Sequence, residues 1–185
     1  ICLFELIKYI STKIQQLHRL KSLHLTSNKI EDLNPLAKIQ TLEALYLDEN
    51  EIRDITPLAE LIHLKTLEIG NNQIHDLTPI SSLKELEVLH LRDNQITHIQ
   101  PLTTLRSLEA LSLDGNKINE IDSLTSLDKI THLWLSENKI KNYEALSGLK
   151  SLKSLFIQTD GNTDMGVLYE LTNLQCLVIT NSNLT

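Results

Sequence analysis

Apolar and polar residues follow one another along the chain in a pattern that repeats every 22 residues. The first unit, LKSLHLTSNKIEDLNPLAKIQT, begins at Leu20, and within each unit apolar residues occupy positions 1, 4, 6, 11, 14, 17 and 20. Later units begin at Leu42, Leu64, Leu86, Leu108, Ile130, Leu152 and, for a partial eighth unit that runs to Thr185, Leu174. A constant period of this length predicts that the units stack as coils of a solenoid.

Each unit contains one segment with the alternation that is typical of a strand. Positions 3 to 7 place inward and outward side chains in turn, as in the run Ala44, Leu45, Tyr46, Leu47, Asp48. Because every unit has the same register, the strands are expected to stack in parallel, about 4.8 Å apart, into a curved sheet. This sheet is predicted to form the concave wall of the solenoid.

Two further columns predict how the chain turns after each strand. Position 9 is Asn28, Asn50, Asn72, Asn94, Asn116 and Asn138, and an asparagine can both donate to and accept from backbone groups of adjacent coils. Positions 15 and 16 include Asn34-Pro35 and Thr56-Pro57, which predict an N-cap residue before the first helical residue. A short helical turn on the convex side is therefore expected in each coil.

Written as LxxLxLxxNxIxxLxPLxxLxx, the units resemble the leucine-rich repeat family. The T-P-L step, present at Thr56 and Thr78 in variants of the motif, resembles the 22-residue bacterial class found in internalin-like proteins. The resemblance covers Leu20 to Thr185. It implies an α/β horseshoe with a parallel concave sheet and short convex helical turns, and a scaffold that binds other molecules.

Two parts of the chain depart from the repeat. In residues 1–19, Leu3, Ile7, Ile10, Ile14 and Leu17 alternate in spacings of four and three, which predicts an amphipathic helix that caps the first coil. The repeats are then residues 20–185, and because the sequence shows no equivalent cap at its C-terminal end, the protein is expected to continue beyond Thr185. The seventh unit is irregular, because Asp160 replaces the asparagine of position 9 and Asn162 stands where isoleucine is expected.

Composition narrows the classes of function. The formal net charge is −7 and the basic residues form no cluster, so nucleic acid is not an expected partner. No apolar run approaches the roughly 20 residues of a membrane span. The five glycines form no phosphate-binding loop, and Cys2 and Cys176 alone make no disulfide framework. No cofactor is expected.

Two groups of residues resemble a catalytic or a metal-binding site, but both are interpreted as structural. Glu68, His90 and Ser112 occupy position 5 of consecutive units, in the order of a nucleophilic triad, but the sequence places no oxyanion-stabilising turn beside them. Asp160, Asn162 and Asp164 have the spacing of calcium ligands. Met165 and Leu171 replace the glycine and glutamate that a calcium loop requires, and the histidines have no metal-ligand spacing, so no catalytic or metal site is expected.

The outward positions of units two to five carry an excess of acids. Nine acidic residues stand against the three basic residues Lys65, Arg92 and Lys117. The acidic residues are Glu43, Asp48, Glu49, Glu51, Glu68, Glu87, Asp93, Glu109 and Asp114. This charge either keeps an acidic protein soluble or attracts a partner with a basic surface.

Large aromatic residues concentrate in the same outward column. Tyr46, Trp134 and Phe156, three of the seven aromatic residues, all occupy position 5, as exposed binding hot spots do. The alternative is that Trp134, Phe156 and Val178 pack under a further C-terminal segment. The residues predicted to contact a partner are Tyr46, Asp48, Glu68, His90, Arg92, Asp114, His132, Trp134 and Phe156.

These observations predict a non-enzymatic scaffold that binds another macromolecule, a protein, through its concave face. The alternative is a targeting or regulatory repeat module of a larger signalling or catalytic protein, such as a GTPase or a phosphatase regulator. The internalin resemblance implies a bacterial cell-surface or secreted protein, whereas the regulatory alternative implies the cytoplasm. The chain shows no recognisable secretion signal or wall anchor, so the compartment is left open.

Overall fold

The computed structural model describes residues 19–161 and 163–181. Within them, eight strands form one open parallel sheet in which the strands lie in chain order. The strands are β1 (Ser22–His24), β2 (Ala44–Tyr46), β3 (Thr66–Glu68), β4 (Val88–His90), β5 (Ala110–Ser112), β6 (His132–Trp134), β7 (Ser154–Thr159) and β8 (Cys176–Asn181). The predicted α/β repeat solenoid with a parallel concave sheet is confirmed.

The register between neighbouring strands equals the sequence period. Leu45 pairs with Leu67 and Leu67 with Leu89, so each residue lies beside its counterpart 22 residues later. Side chains at the same position of the repeat therefore form columns across the sheet.

Inward-pointing columns form a continuous apolar core. Leu45, Leu47, Leu67 and Ile69 are completely buried, as are their counterparts through coil six. Burying one such side chain contributes about 1.5 to 3 kcal/mol, so repeated burial of leucine and isoleucine is the main source of stability. The equivalent Leu177 is 41% exposed, because β8 is the last strand of the sheet in the described part of the chain.

The chain leaves each of the first six strands through a residue of left-handed backbone conformation and then the asparagine of position 9. Glu49, Asp93 and Gly115 have φ angles of 58°, 53° and 65°. Asn94 follows, and its amide donates to the carbonyls of Ile69, Leu91 and Arg92 at 3.1, 3.1 and 3.2 Å. Its Oδ1 accepts the N–H of Ile74 at 2.9 Å. The predicted structural role of the asparagine column is confirmed.

Short 3₁₀ helices lie on the convex side, where helical turns were predicted. They span Leu36–Lys38, Thr56–Glu60, Thr78–Ser82, Gln100–Thr104, Asp122–Ser126, Glu144–Gly148 and Gly166–Glu170. Among the residues described, these helices reach at most five residues, so none could span a membrane.

The predicted N-caps of these turns were wrong. In the second coil the N-cap residue is Ile55, without a side-chain hydrogen bond, and the helix includes Thr56. The 3₁₀ bond from Leu58 N–H to the Ile55 carbonyl sets the start one residue earlier than the Pro57 pattern predicted. The side chain that accepts a terminal N–H is Asp54, whose Oδ1 lies 2.8 Å from the Thr56 nitrogen. Asp76 binds Thr78 in the same way.

The irregular seventh coil receives a hydrogen bond from a residue substituted in the coil before it. Position 14 is an aliphatic residue in the first five units, but is Tyr143 in the sixth. The buried Tyr143 hydroxyl donates to the Gln158 carbonyl at 2.8 Å, and burial raises its pKa to about 12. In the preceding coil, the equivalent carbonyl of Ser136 accepts from the amide of Asn138. Tyr143 therefore supplies a donor that Asp160, an acceptor when ionised, does not have.

Three predictions of the sequence analysis fall on residues that the structure does not describe. The capping helix predicted for residues 1–19 lies outside the described residues except for Arg19. Asn162, the middle residue of the calcium-like spacing, and residues 182–185 of the partial eighth unit also lie outside them.

Candidate functional site

Two rows of side chains point away from the core on the concave face. The register aligns position 5 of each coil, as in the pairs Glu68 with His90 and Trp134 with Phe156. Position 7 follows at the end of each strand and includes Asp48, Arg92 and Asp114. Eight of the nine predicted contact residues belong to these two rows, and His132 begins strand β6 beside them.

An aromatic group occupies the C-terminal half of this face. The Trp134 ring lies 5.7 Å from the Phe156 ring and 6.0 Å from the His132 ring, and it is stacked with both. His90 meets the same indole edge-on at 6.1 Å. We call these four residues the Trp134 cluster.

The contact between His90 and Trp134 depends on the small residue between them. Their strands are two coils apart, a separation of about 9.6 Å at the usual strand spacing. Ser112 lies between them in the register and is only 7% exposed. Because the serine side chain is short, the two larger rings lean toward each other above it.

Tyr46 does not belong to the Trp134 cluster. Its ring stacks on His24 of the preceding coil, with centroids 4.1 Å apart and an interplanar angle of 6°. The sheet places Tyr46 four coils before Trp134. The three aromatic residues of the predicted site therefore form two separate groups.

A depression of about 300 Å³ lies between these two groups. It is lined by Asp48, Glu68, His90, Arg92, Ser112, Asp114 and Trp134, and we call it the concave depression. Six of the nine predicted contact residues line it. The structure thus brings together charged and aromatic residues that the sequence showed only as neighbours in two rows.

Gly70, which the sequence analysis did not single out, allows two charged residues to approach the strand. A β-carbon at this position would lie 2.7 Å from Cγ of Arg92 and 2.9 Å from Oδ1 of Asp48. The Gly70 N–H donates to the same Asp48 oxygen at 2.6 Å. The signal in the sequence was a glycine in a row that is polar or charged in the other coils.

The carboxylates of the depression differ in their surroundings. Asp114 accepts from the Ser112 hydroxyl at 3.1 Å and from the Ser136 N–H at 2.9 Å, and burial raises its pKa above the ordinary value. Glu68 lies 3.8 Å from Nδ1 of His90, which is longer than a hydrogen bond. Asp114 is therefore held by the protein itself, whereas Glu68 has only a loose contact.

The row Glu68, His90, Ser112 does not form the hydrogen-bond chain of a nucleophilic triad. The Ser112 hydroxyl donates to Asp114 rather than to His90. A serine nucleophile requires its hydroxyl to face the general base.

The residues with calcium-ligand spacing form hydrogen bonds within their own turn. Asp164 accepts the Gly166 N–H at 2.8 Å, and Asp160 accepts from the Thr163 hydroxyl at 3.1 Å. Across residues 19–161 and 163–181, no group of three or more histidine, cysteine or acidic side chains is placed to hold a metal ion.

Two sets can be distinguished among the nine acidic residues of units two to five, one paired with neighbouring side chains and one in the concave depression. Glu43 pairs with Lys21, whose hydrogen bond lowers the Glu43 pKa, and Glu49 accepts from the Ser27 hydroxyl at 2.6 Å. Asp48, Glu68 and Asp114 line the concave depression instead. Only the second set therefore lies together at the candidate site.

Residues 14–184 match the family model for a leucine-rich repeat region. The chain belongs to the leucine-rich repeat proteins. A comparison with curated protein sequences finds no match.

Solved structures of leucine-rich repeat proteins share this architecture. An internalin (inlF) from Listeria monocytogenes is 33% identical, with a TM-score of 0.83 over 92% of this chain and 52% of its own. A leucine-rich repeat protein from Leptospira interrogans is 31% identical, with a TM-score of 0.81 over 92% of this chain and 46% of its own. The chain spans about half the length of these proteins and is similar to the internalin-like bacterial class, as the repeat pattern predicted.

A more distant structure shows the fold alone. The plant peptide hormone receptor RGFR1, solved in complex with RGF2, is 22% identical, with a TM-score of 0.72 over 90% of this chain and 29% of its own.

Proposed function

We propose that this chain is a binding scaffold whose concave face holds a protein partner, with the Trp134 cluster as the centre of contact. Leucine-rich repeat proteins typically use their extended concave surfaces for protein binding. The observation that carries the proposal is the Trp134 cluster itself. Its rings lie on the open face of the sheet, and large aromatic residues are enriched in binding hot spots.

The concave depression extends this contact toward the N-terminal coils. Asp48, Glu68 and Asp114 stand there against one guanidinium, that of Arg92. We therefore expect the partner to present basic residues beside an apolar group. Tyr46, on the far side of the depression, provides a second aromatic contact.

The core beneath the Trp134 cluster does not depend on its rings. Leu133 and Leu135 flank Trp134 in the sequence, and both are completely buried. Replacing Trp134 by alanine should therefore open no cavity in the core. Binding and folding can be separated at this residue.

A library of displayed protein fragments, selected on the full chain, supplies partners for the test. Trp134→Ala is expected to weaken binding of the selected fragments by at least about 2 kcal/mol, or roughly 30-fold, with the melting temperature nearly unchanged. Tyr169→Ala is the matched control, because Tyr169 is an aromatic residue of the convex 3₁₀ helix Gly166–Glu170 and is 90% exposed.

Selected fragments that lose affinity on Tyr169→Ala and not on Trp134→Ala would place binding on the convex side and contradict the proposal. A stability loss above about 2 kcal/mol on Trp134→Ala, with affinity unchanged, would also contradict it. That result would support the alternative in which Trp134 and Phe156 pack under another segment.

The regulatory alternative uses the same surface. A repeat module that targets a larger protein would also bind through its concave face. The test above therefore decides where the chain binds in either case.

A further inference from the structure

We infer that the concave depression is a subsite for a single basic side chain of the partner, an arginine. This inference rests on the proposed function, because it assigns the chemistry of one contact within the same concave face. Its observations are the shape of the depression, the state of its carboxylates and the position of the indole.

The depression has the size of a side-chain pocket. Its volume of about 300 Å³ is at the lower end of the range for small-ligand sites. The depression is deepest near Ser112, which is 7% exposed, and Gly70, which has no side chain, because larger residues surround these two. One long side chain can enter such a space, whereas a folded segment of a partner can only lie across it.

The carboxylates leave a specific acceptor available. Asp114 uses both oxygens on the Ser112 hydroxyl and the Ser136 N–H, and Asp48 uses Oδ1 on the Gly70 N–H. In the part of the chain that the structure describes, no group donates a hydrogen bond to the Glu68 carboxylate, and its contact with His90 is 3.8 Å. The Glu68 carboxylate and Oδ2 of Asp48 can therefore accept hydrogen bonds from a ligand.

The charge of the depression favours a cation over an anion. Asp48, Glu68 and Asp114 outnumber Arg92 among its charged residues, and His90 adds a positive charge only when protonated. The Arg92 stem lies against Gly70, where a β-carbon would be 2.7 Å from its Cγ. An incoming carboxylate would meet this guanidinium but also three like charges, so we favour the cation.

The Glu68 carboxylate distinguishes arginine from lysine. Glu68 lies on β3 and Trp134 on β6, three strands away or about 14 Å at the usual strand spacing, and both line the depression. A planar guanidinium can form two parallel hydrogen bonds to one carboxylate, which an ammonium cannot do, while the apolar stem of the same side chain extends toward the indole. The residues present therefore match arginine best.

Trp134 also reports on the site, because it is the only tryptophan of the chain. The ligand used is Nα-acetyl-arginine amide, titrated into the full chain while tryptophan fluorescence is recorded. We expect a saturable change with a dissociation constant in roughly the millimolar range. Nα-acetyl-citrulline amide, which has nearly the same shape without the charge, should bind at least about tenfold more weakly.

Variants locate the response. Glu68→Gln keeps the size of the side chain and is expected to weaken binding of the arginine compound at least about fivefold. Glu120→Gln makes the same change at an exposed residue outside the depression and should leave the titration unchanged. Thermal melts of both variants show whether they remain folded.

Three results would overturn the subsite: no saturable response to the arginine compound, an equal response to the citrulline compound, or unchanged affinity in Glu68→Gln. A saturable response to Nα-acetyl-glutamate amide alone, lost in Arg92→Gln, would instead assign the depression to an anion.

None of these outcomes requires a partner. If the arginine compound fails while selected fragments still depend on Trp134, the subsite is wrong and the proposed function stands. If the arginine compound binds while the affinity of those fragments is unchanged by Trp134→Ala, the subsite stands and the Trp134 cluster is not the centre of contact.

Discussion

At the scale of single residues, the asparagine of position 9 has the largest structural task. Asn94 is 7% exposed and makes four hydrogen bonds, three to carbonyls and one from an N–H, that link coils three and four of the repeat. We expect Asn94→Ala to reduce the free energy of unfolding by about 1 to 3 kcal/mol, because buried backbone groups lose their partners. Urea or thermal melts measure this.

Asn119→Ala is the control for that change, because Asn119 is an exposed asparagine of the fifth coil that is not at position 9. Its effect should stay within about 0.5 kcal/mol. Equal effects of the two substitutions would mean that water replaces the side chain of Asn94 at no cost, and the ladder explanation would fail.

The sequence predicted the asparagine column because the residue recurs at one position with an evident backbone task. Tyr143 and Gly70 were not predicted, because each occurs once in its column. Tyr143 matters because the seventh unit has Asp160 in place of the asparagine of position 9. The sequence does not connect these two coils, whereas the structure does, through the 2.8 Å hydrogen bond from the Tyr143 hydroxyl to the Gln158 carbonyl. A single departure in a periodic sequence therefore indicates a site of interest but not its partner.

At the scale of elements, several of the convex 3₁₀ helices begin beside an aspartate that accepts a backbone N–H, as Asp54 and Asp76 do. The Thr56 hydroxyl and N–H both bind Asp54, and these hydrogen bonds lower the Asp54 pKa below its ordinary value of 3.8. We expect Asp54→Ala to destabilise the chain by about 1 kcal/mol at pH 7, the usual effect of losing a helix cap. Melts at several pH values measure it.

The pH dependence has a definite sign. Because the folded-state pKa is below that of the unfolded chain, the stabilisation is present above pH 3.8 and is lost as the pH falls through the lower folded-state value. The difference between wild type and Asp54→Ala should therefore shrink in acid. Asp128→Ala, at an exposed aspartate outside these turns, is the control and should change stability by less than about 0.5 kcal/mol. A difference for Asp54→Ala that is constant down to pH 3 would contradict the capping role.

Sequence reasoning placed these turns correctly and their caps incorrectly. The Thr-Pro pairs indicated where the chain bends, because proline favours the first helical positions. The capping rule, however, was derived for α-helices, and the 3₁₀ hydrogen bond begins the turn one residue earlier. Asp54 and Asp76, two residues before each threonine, carry the interaction that was assigned to the threonines.

At the scale of the whole molecule, the period alone was sufficient to predict the sheet. A constant 22-residue register determines which strand neighbours which, so the sequence alone predicts that position 5 and position 7 each form a row across the sheet. The sequence could not show which members of a row lean together. His90 reaches Trp134 across Ser112, while Tyr46 stacks on His24 in the opposite direction, and these choices depend on side-chain size and packing.

The same rows determine the electrostatics of the concave face and lead to the last prediction. If the carboxylates of the concave depression attract a basic partner, the association rate of selected fragments should fall as salt rises, since exposed charges are screened beyond about 10 Å at 0.1 M salt. Stopped-flow fluorescence of Trp134 over a salt series measures this rate.

The double variant Asp48→Asn, Glu68→Gln should flatten the salt dependence, because it removes the two carboxylates with oxygens available to a ligand. The double variant Asp54→Asn, Asp76→Asn removes equal charge from the turns outside the concave depression and should preserve it. Equal flattening by both double variants would show that net charge alone sets the rate, and a flat dependence in the wild type would leave the acids with a role in solubility only.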